Sequence, residues 1–159
     1  MRTVILLSIL MVSFTFLAQE IVPQKYKENQ TLTYAELIAS YQSLASKHGE
    51  AQLIECGKSD AGYPLQLFVI SKTKEFDPKV LREDDMRIVL INNAIHPGEP
   101  DGINAMLIWL KEISVNPEIL VKLPVIAFIP AYNVGGMMNR SGHSRANQNG
   151  PLEYGFRGN

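Results

Sequence analysis

Apolar residues in this chain recur at two periods. Over residues 33–48 Leu37, Tyr41, Leu44 and Ala45 recur at helical intervals, with Tyr34 and Ile38 beside them. Thr33 and Glu36 have the spacing of a capping box, and Gly49 is a plausible stop. The spacing therefore predicts a helix over about residues 33–48, with His48 at its C-terminal end, where a cation suits the helix dipole. A second stripe of Ile103, Met106, Leu107, Leu110 and Ile113 predicts a helix over about residues 101–114, with Trp109 packing beside it. Asn116-Pro117 closes that region.

Short apolar runs predict strands. Residues 51–56 and 65–70 flank a turn-rich Gly57-Lys-Ser-Asp-Ala-Gly62 and read as a hairpin. The unbroken run within residues 87–94 reads as the central strand, buried on both faces as in a parallel sheet with helices above and below. Residues 125–129 are a second fully apolar strand. Strand, crossover helix and strand make a right-handed βαβ unit, so the fold class is α/β. Residues 20–31 are a polar lead-in, and residues 71–87 are charged and irregular, with Asp77-Pro78 a turn candidate. Lys58 and Ser59 lack the glycine spacing of a phosphate loop. Periodicity stops at Pro130, and about thirty polar, glycine-rich residues follow, a length that is usually functional or disordered.

The candidate chemistry sits where the 87–94 strand ends, at His96-Pro97-Gly98-Glu99. Proline presets the second place of a β-turn, and glycine tolerates the positive φ that a type II turn needs at the third. Pro100 keeps Glu99 out of the helical region and suits the first helical position. Such a turn brings an imidazole and a carboxylate together, and both bind zinc well. His96 and Glu99 are therefore candidate ligands of one catalytic zinc. The segment after Pro130 begins on the same carboxyl edge, where open α/β sheets bind ligands.

Composition narrows the classes. The chain has 159 residues, a net charge of −1 and 46% hydrophobic residues, an ordinary globular balance. It has no basic block, so a nucleic-acid partner is not expected. Arg2 precedes an apolar run over residues 4–18, shorter than the roughly 20 residues of a membrane span, so residues 1–18 read as a secretory signal peptide. The expectation is export to the periplasm or outside the cell, with no stable membrane insertion after cleavage. Cys56 is the only cysteine, so no internal disulfide can form, and it reads as a small buried residue.

Four pieces, in order, resemble the zinc metallocarboxypeptidases of the carboxypeptidase A type, bacterial secreted members among them. They are Gly57-Lys-Ser59 with Gly62-Tyr-Pro-Leu65, Asn93-Ala-Ile-His-Pro-Gly-Glu99, Pro130-Ala-Tyr-Asn-Val-Gly-Gly136, and Arg145-Ala-Asn-Gln-Asn-Gly-Pro151 with Gly155-Phe-Arg-Gly-Asn159. The match runs from about residue 32 to the end. It implies a three-layer αβα fold with a mixed, largely parallel central sheet of the phosphorylase/hydrolase-like, zinc-peptidase type.

The resemblance also implies a zinc held by two histidines and a glutamate, a glutamate general base, an arginine that polarises the scissile carbonyl and an Asn-Arg pair that grips the substrate's C-terminal carboxylate. His96 and Glu99 match the first two zinc ligands. Arg145 matches the carbonyl-polarising arginine, with Arg140 as runner-up, and Asn139-Arg140 imitates the carboxylate grip. His143 is the only histidine downstream of the turn. The third ligand and the general base have no counterparts, so residues 19–159 are expected to be the N-terminal part of a catalytic domain, inactive alone and poorly soluble at its open strand edges. Peptide or protein C-termini are the implied substrates. A deacylase of N-acyl amino acids with the same fold, or a secreted module that binds without catalysis, are the rival readings.

Overall fold

The structure, a computed structural model, describes residues 25–143 and 153–155. The signal-peptide expectation for residues 1–18 and the assignment of Arg145 lie outside these residues. Among the described residues no helix is long and apolar enough to cross a membrane.

A 3₁₀ turn at Lys25–Glu28 leads to helix α1, Tyr34–Lys47. Its N-cap is Thr33, whose side chain accepts from the Glu36 amide while Glu36 reaches back to the Thr33 amide, and its C-cap is His48. Strands β1, Ala51–Lys58, and β2, Pro64–Ile70, form the antiparallel hairpin, which is irregular between Glu55 and Lys58. Gly57 lies in that irregularity with φ 133°, a conformation side chains resist. Helix α2, Pro78–Glu83, follows, and then strand β3, Ile88–Asn92, helix α3, Asp101–Val115, a 3₁₀ turn at Pro117–Lys122 and strand β4, Val125–Ile129. A short helix α4, Val134–Met138, and the two-residue strands β5, Arg140–Ser141, and β6, Tyr154–Gly155, complete the described chain.

The sheet order is β1-β2-β4-β3. β4 runs antiparallel to β2, with Phe68 opposite Phe128, and parallel to β3, from Ile88–Val125 to Asn92–Ile129. The sheet is mixed as expected, but only one of its three strand pairs is parallel. A hairpin supplies one half, and β4 then inserts between that hairpin and β3.

Alternation along the strands builds two cores. Phe68, Ile70, Ile126 and Phe128 face α1 and α3, whereas Val69, Val125 and Ala127 pack with Leu81 of α2. Helices therefore lie on both faces, thinly on the α2 side. Tyr41, Phe68 and Phe128 form a three-ring cluster with centroids 5.1 to 5.3 Å apart. Trp109 packs against the larger core from its rim.

Two expectations need correction. The 87–94 strand is not central: β3 is an edge strand, Leu90 is 60% exposed, and β4 is the inner one. Both runs are strongly apolar, and the pairing order decides which lies inside. Cys56 is exposed rather than buried, because the outer half of β1 is uncovered. Its thiol donates to the Leu65 carbonyl at 3.4 Å.

Candidate metal centre

The site is built at the carboxyl ends of the one parallel pair. The Asn93 amide donates to the Ile129 carbonyl at 3.0 Å, continuing the ladder one residue past β3. The carbonyls of Asn93 and Ala94 then accept from the amides of Tyr132 and Asn133 at 2.9 and 3.1 Å. The chain leaving β3 and the chain leaving β4 are thereby zipped together. Ala94, nearly buried, takes φ 51°, a left-handed conformation that costs a non-glycine residue about 1–2 kcal/mol. Such backbone is retained where the surroundings hold it, and it gathers at functional sites.

Beyond Ala94 the chain closes the His96–Glu99 turn, with the Glu99 amide donating to the His96 carbonyl at 2.8 Å. The turn is not of type II. Gly98 is not among the glycines with positive φ, so the proline alone directs the bend. Pro100 is the N-cap of α3, one place before the first helical position, and provides no side-chain cap.

His96 Nδ1 lies 3.3 Å from Glu99 Oε2, with both side chains partly exposed. That is long for a hydrogen bond, which prefers about 2.7–3.2 Å. It matches the separation of about 3.4 Å expected between two atoms bound to one tetrahedral zinc at about 2.0–2.1 Å each. The two donors fit part of a metal's donor set. Among the described residues no third His, Cys, Asp or Glu joins them, and His143 is therefore not brought to the turn.

The end of the described chain reaches the same place. Gly155 packs so closely on the turn that an added Cβ would sit 2.5 Å from Pro97 Cβ and 2.9 Å from the Gly136 carbonyl oxygen. The polar stretch after Pro130 and the turn thus meet, as their shared edge implies. Asn133 caps α4 by accepting from the Gly136 amide at 2.8 Å. A cavity of about 410 Å³ opens between the hairpin tip and this segment, lined by Lys58, Asp60, Tyr132, Asn133 and Asn139 among others but not by His96 or Glu99.

Arg140 is engaged elsewhere. Its guanidinium donates to the Leu32 carbonyl at 3.1 Å, to the Thr31 hydroxyl at 2.6 Å and to the Glu153 carbonyl at 3.2 Å. Those bonds fasten the lead-in to α1 and the β5–β6 pair, a structural task for the runner-up arginine. Asn93, Ala94 and Gly155 lie within the segments that carry the resemblance, but the sequence assigns none of them a role at the site. Of the three, the glycine alone hints at its role by residue type, as one that permits close approach.

No known protein-family model and no curated protein matches the chain. Solved structures do resemble it. Bovine thrombin-activatable fibrinolysis inhibitor, in complex with tick carboxypeptidase inhibitor, is 18% identical with a TM-score of 0.55, the match covering 70% of this chain and 34% of that one. Carboxypeptidase A from Helicoverpa armigera is 20% identical with a TM-score of 0.54, over 70% of this chain and 26% of that one. A further structure of thrombin-activatable fibrinolysis inhibitor is 16% identical with a TM-score of 0.51, over 75% and 29%. The likeness is one of fold, and this chain spans about a third of those chains or less.

Proposed function

We propose that the chain carries part of a zinc-dependent hydrolase centre of the carboxypeptidase kind, which removes residues from the C-termini of peptides or proteins. His96 and Glu99 are two of its metal ligands. The observation that carries this reading is the 3.3 Å approach of Nδ1 and Oε2 on a turn at the carboxyl end of β3. The carboxypeptidase fold of the neighbours supports it, and one of them is held by a protein inhibitor of carboxypeptidases.

A zinc ion so held supplies a Lewis acid and an acidified water. His96 offers Nδ1 as the lone-pair nitrogen and keeps its proton on Nε2, and Glu99 contributes the negative charge. Arg145 polarises the scissile carbonyl in this reading. Residues 1–18 direct export, and no nucleic acid is a partner. With two donors brought together among the described residues, the 159-residue chain binds metal weakly and is inactive by itself.

Titration of the purified chain with zinc, followed by calorimetry, tests the centre. Binding that His96→Ala and Glu99→Ala each abolish supports it, and binding that neither changes overturns it. Zinc-dependent release of C-terminal residues by the 159-residue chain would overturn the claim of inactivity.

A further inference from the structure

The turn that carries His96 and Glu99 is anchored by one residue three places before it and one three places after it. Asn93 is 5% exposed, and its backbone is fixed on both sides by the Ile129 carbonyl and the Tyr132 amide. Its side-chain Oδ1 lies against Gly102 in the first turn of α3, so closely that an added Cβ on Gly102 would come 3.1 Å from it. Its Nδ2 is buried and has no hydrogen-bond partner among the described residues.

Packing alone does not account for an amide here. An apolar side chain of similar size would fill the space without leaving a buried donor unmet. A buried amide kept at that cost, three residues before a turn that carries two candidate ligands and seated against the first turn of α3, is placed to hold the two ends of that turn.

We propose that Asn93 is a positioning residue for the His96–Glu99 pair, with Gly102 as its counterpart. Their contact closes residues 93–102 into a loop and sets the approach of Nδ1 to Oε2. The inference rests on the metal reading of the turn and deepens it.

Cobalt(II) titration of the full chain, read by its visible absorption, is the test, with thermal unfolding of the metal-free protein alongside. Asn93→Leu removes the unmet donor, so the metal-free protein unfolds at the same temperature or higher. Cobalt affinity falls about ten- to a hundredfold. Gly102→Ala also weakens binding, because its methyl displaces the carboxamide. In an Asn93→Ala background the same change has no further effect, the signature of two residues acting through one contact. Wild-type affinity in Asn93→Leu, or additive losses in the double variant, would overturn the proposal. Failure of the metal reading itself looks different: the unsubstituted chain would then show no cobalt spectrum that His96→Ala abolishes, and the positioning role would fall with it.

Discussion

Arg140 Nη2 lies 2.6 Å from Thr31 Oγ1, a bond between residues 109 positions apart in the chain. The Thr31 hydroxyl in turn donates to the Glu153 carbonyl at 2.8 Å. One guanidinium thus joins the segment before α1 to the β5–β6 pair. Arg140→Ala is expected to lower stability by about 2 kcal/mol, since it leaves several half-buried acceptors without their charged donor. Denaturant unfolding measures this. Metal affinity changes little, and a large loss of affinity with stability intact would place Arg140 in the site after all.

Gly155 stands where no side chain fits. A methyl at 2.5 Å from Pro97 Cβ must push the turn or β6 aside. Gly155→Ala is expected to cost about 1–3 kcal/mol, as overpacking does. Hydrogen exchange at the Glu99 amide, which closes the turn, should quicken. Unchanged exchange would show that β6 gives way instead.

Thr33 and Glu36 make the start of α1 sensitive to acid. Burial pushes the Glu36 carboxyl up, but hydrogen bonds from Lys25, at 2.6 Å, and from Thr33 outweigh it and hold the group below its ordinary range. The folded chain thus binds that proton less tightly than the unfolded chain. The stabilisation is complete above the ordinary carboxylate range and is lost as pH falls through the lowered value. Glu36→Gln is expected to cost about 0.5–1 kcal/mol near pH 7, with the gap closing below about pH 4. Equal losses at both pH values would refute the charge-based account.

Tyr41 is fully buried between Phe68 and Phe128, and its hydroxyl has no hydrogen-bond partner among the described residues. Burial drives its pKa far upward. Tyr41→Phe removes an unmet polar group and keeps the ring, so stability is expected to hold or rise by up to about 1 kcal/mol. A clear loss would point to a partner for that hydroxyl.

Leu90 is 60% exposed on the open edge formed by β3, with Ile88 and Val89 at 43% each. An apolar edge without charge invites pairing with other chains. Leu90→Lys is expected to suppress concentration-dependent association in sedimentation, with stability changed by no more than about 0.5 kcal/mol. Association that persists unchanged would locate the sticky surface elsewhere.

Local pattern announces much of this molecule. The stripe from Ile103 to Ile113 fixes α3, and Thr33 with Glu36 marks the first turn of α1 almost to the residue. The hairpin follows from its turn residues. Pattern says nothing of neighbours, which is why β3, read as the central strand, lies at the edge and the similarly apolar β4 lies inside. Asp77-Pro78 reads as a turn but is an N-cap and first helical residue, so α2 escapes notice. At the site, the pairing of His96 with Glu99 is legible because both stand on one turn. The backbone of Ala94, the burial of Asn93 and the approach of Gly155 come from contacts across the chain that no spacing records.

The last of the four sheet strands to be synthesised, β4, lies between two made before it. A ribosome must therefore deliver residue 129 before β2 and β3 have anything to share. Until then the nascent polypeptide holds a hairpin, the segments of α1, α2 and α3, and a ribbon, β3, that has no strand to pair with.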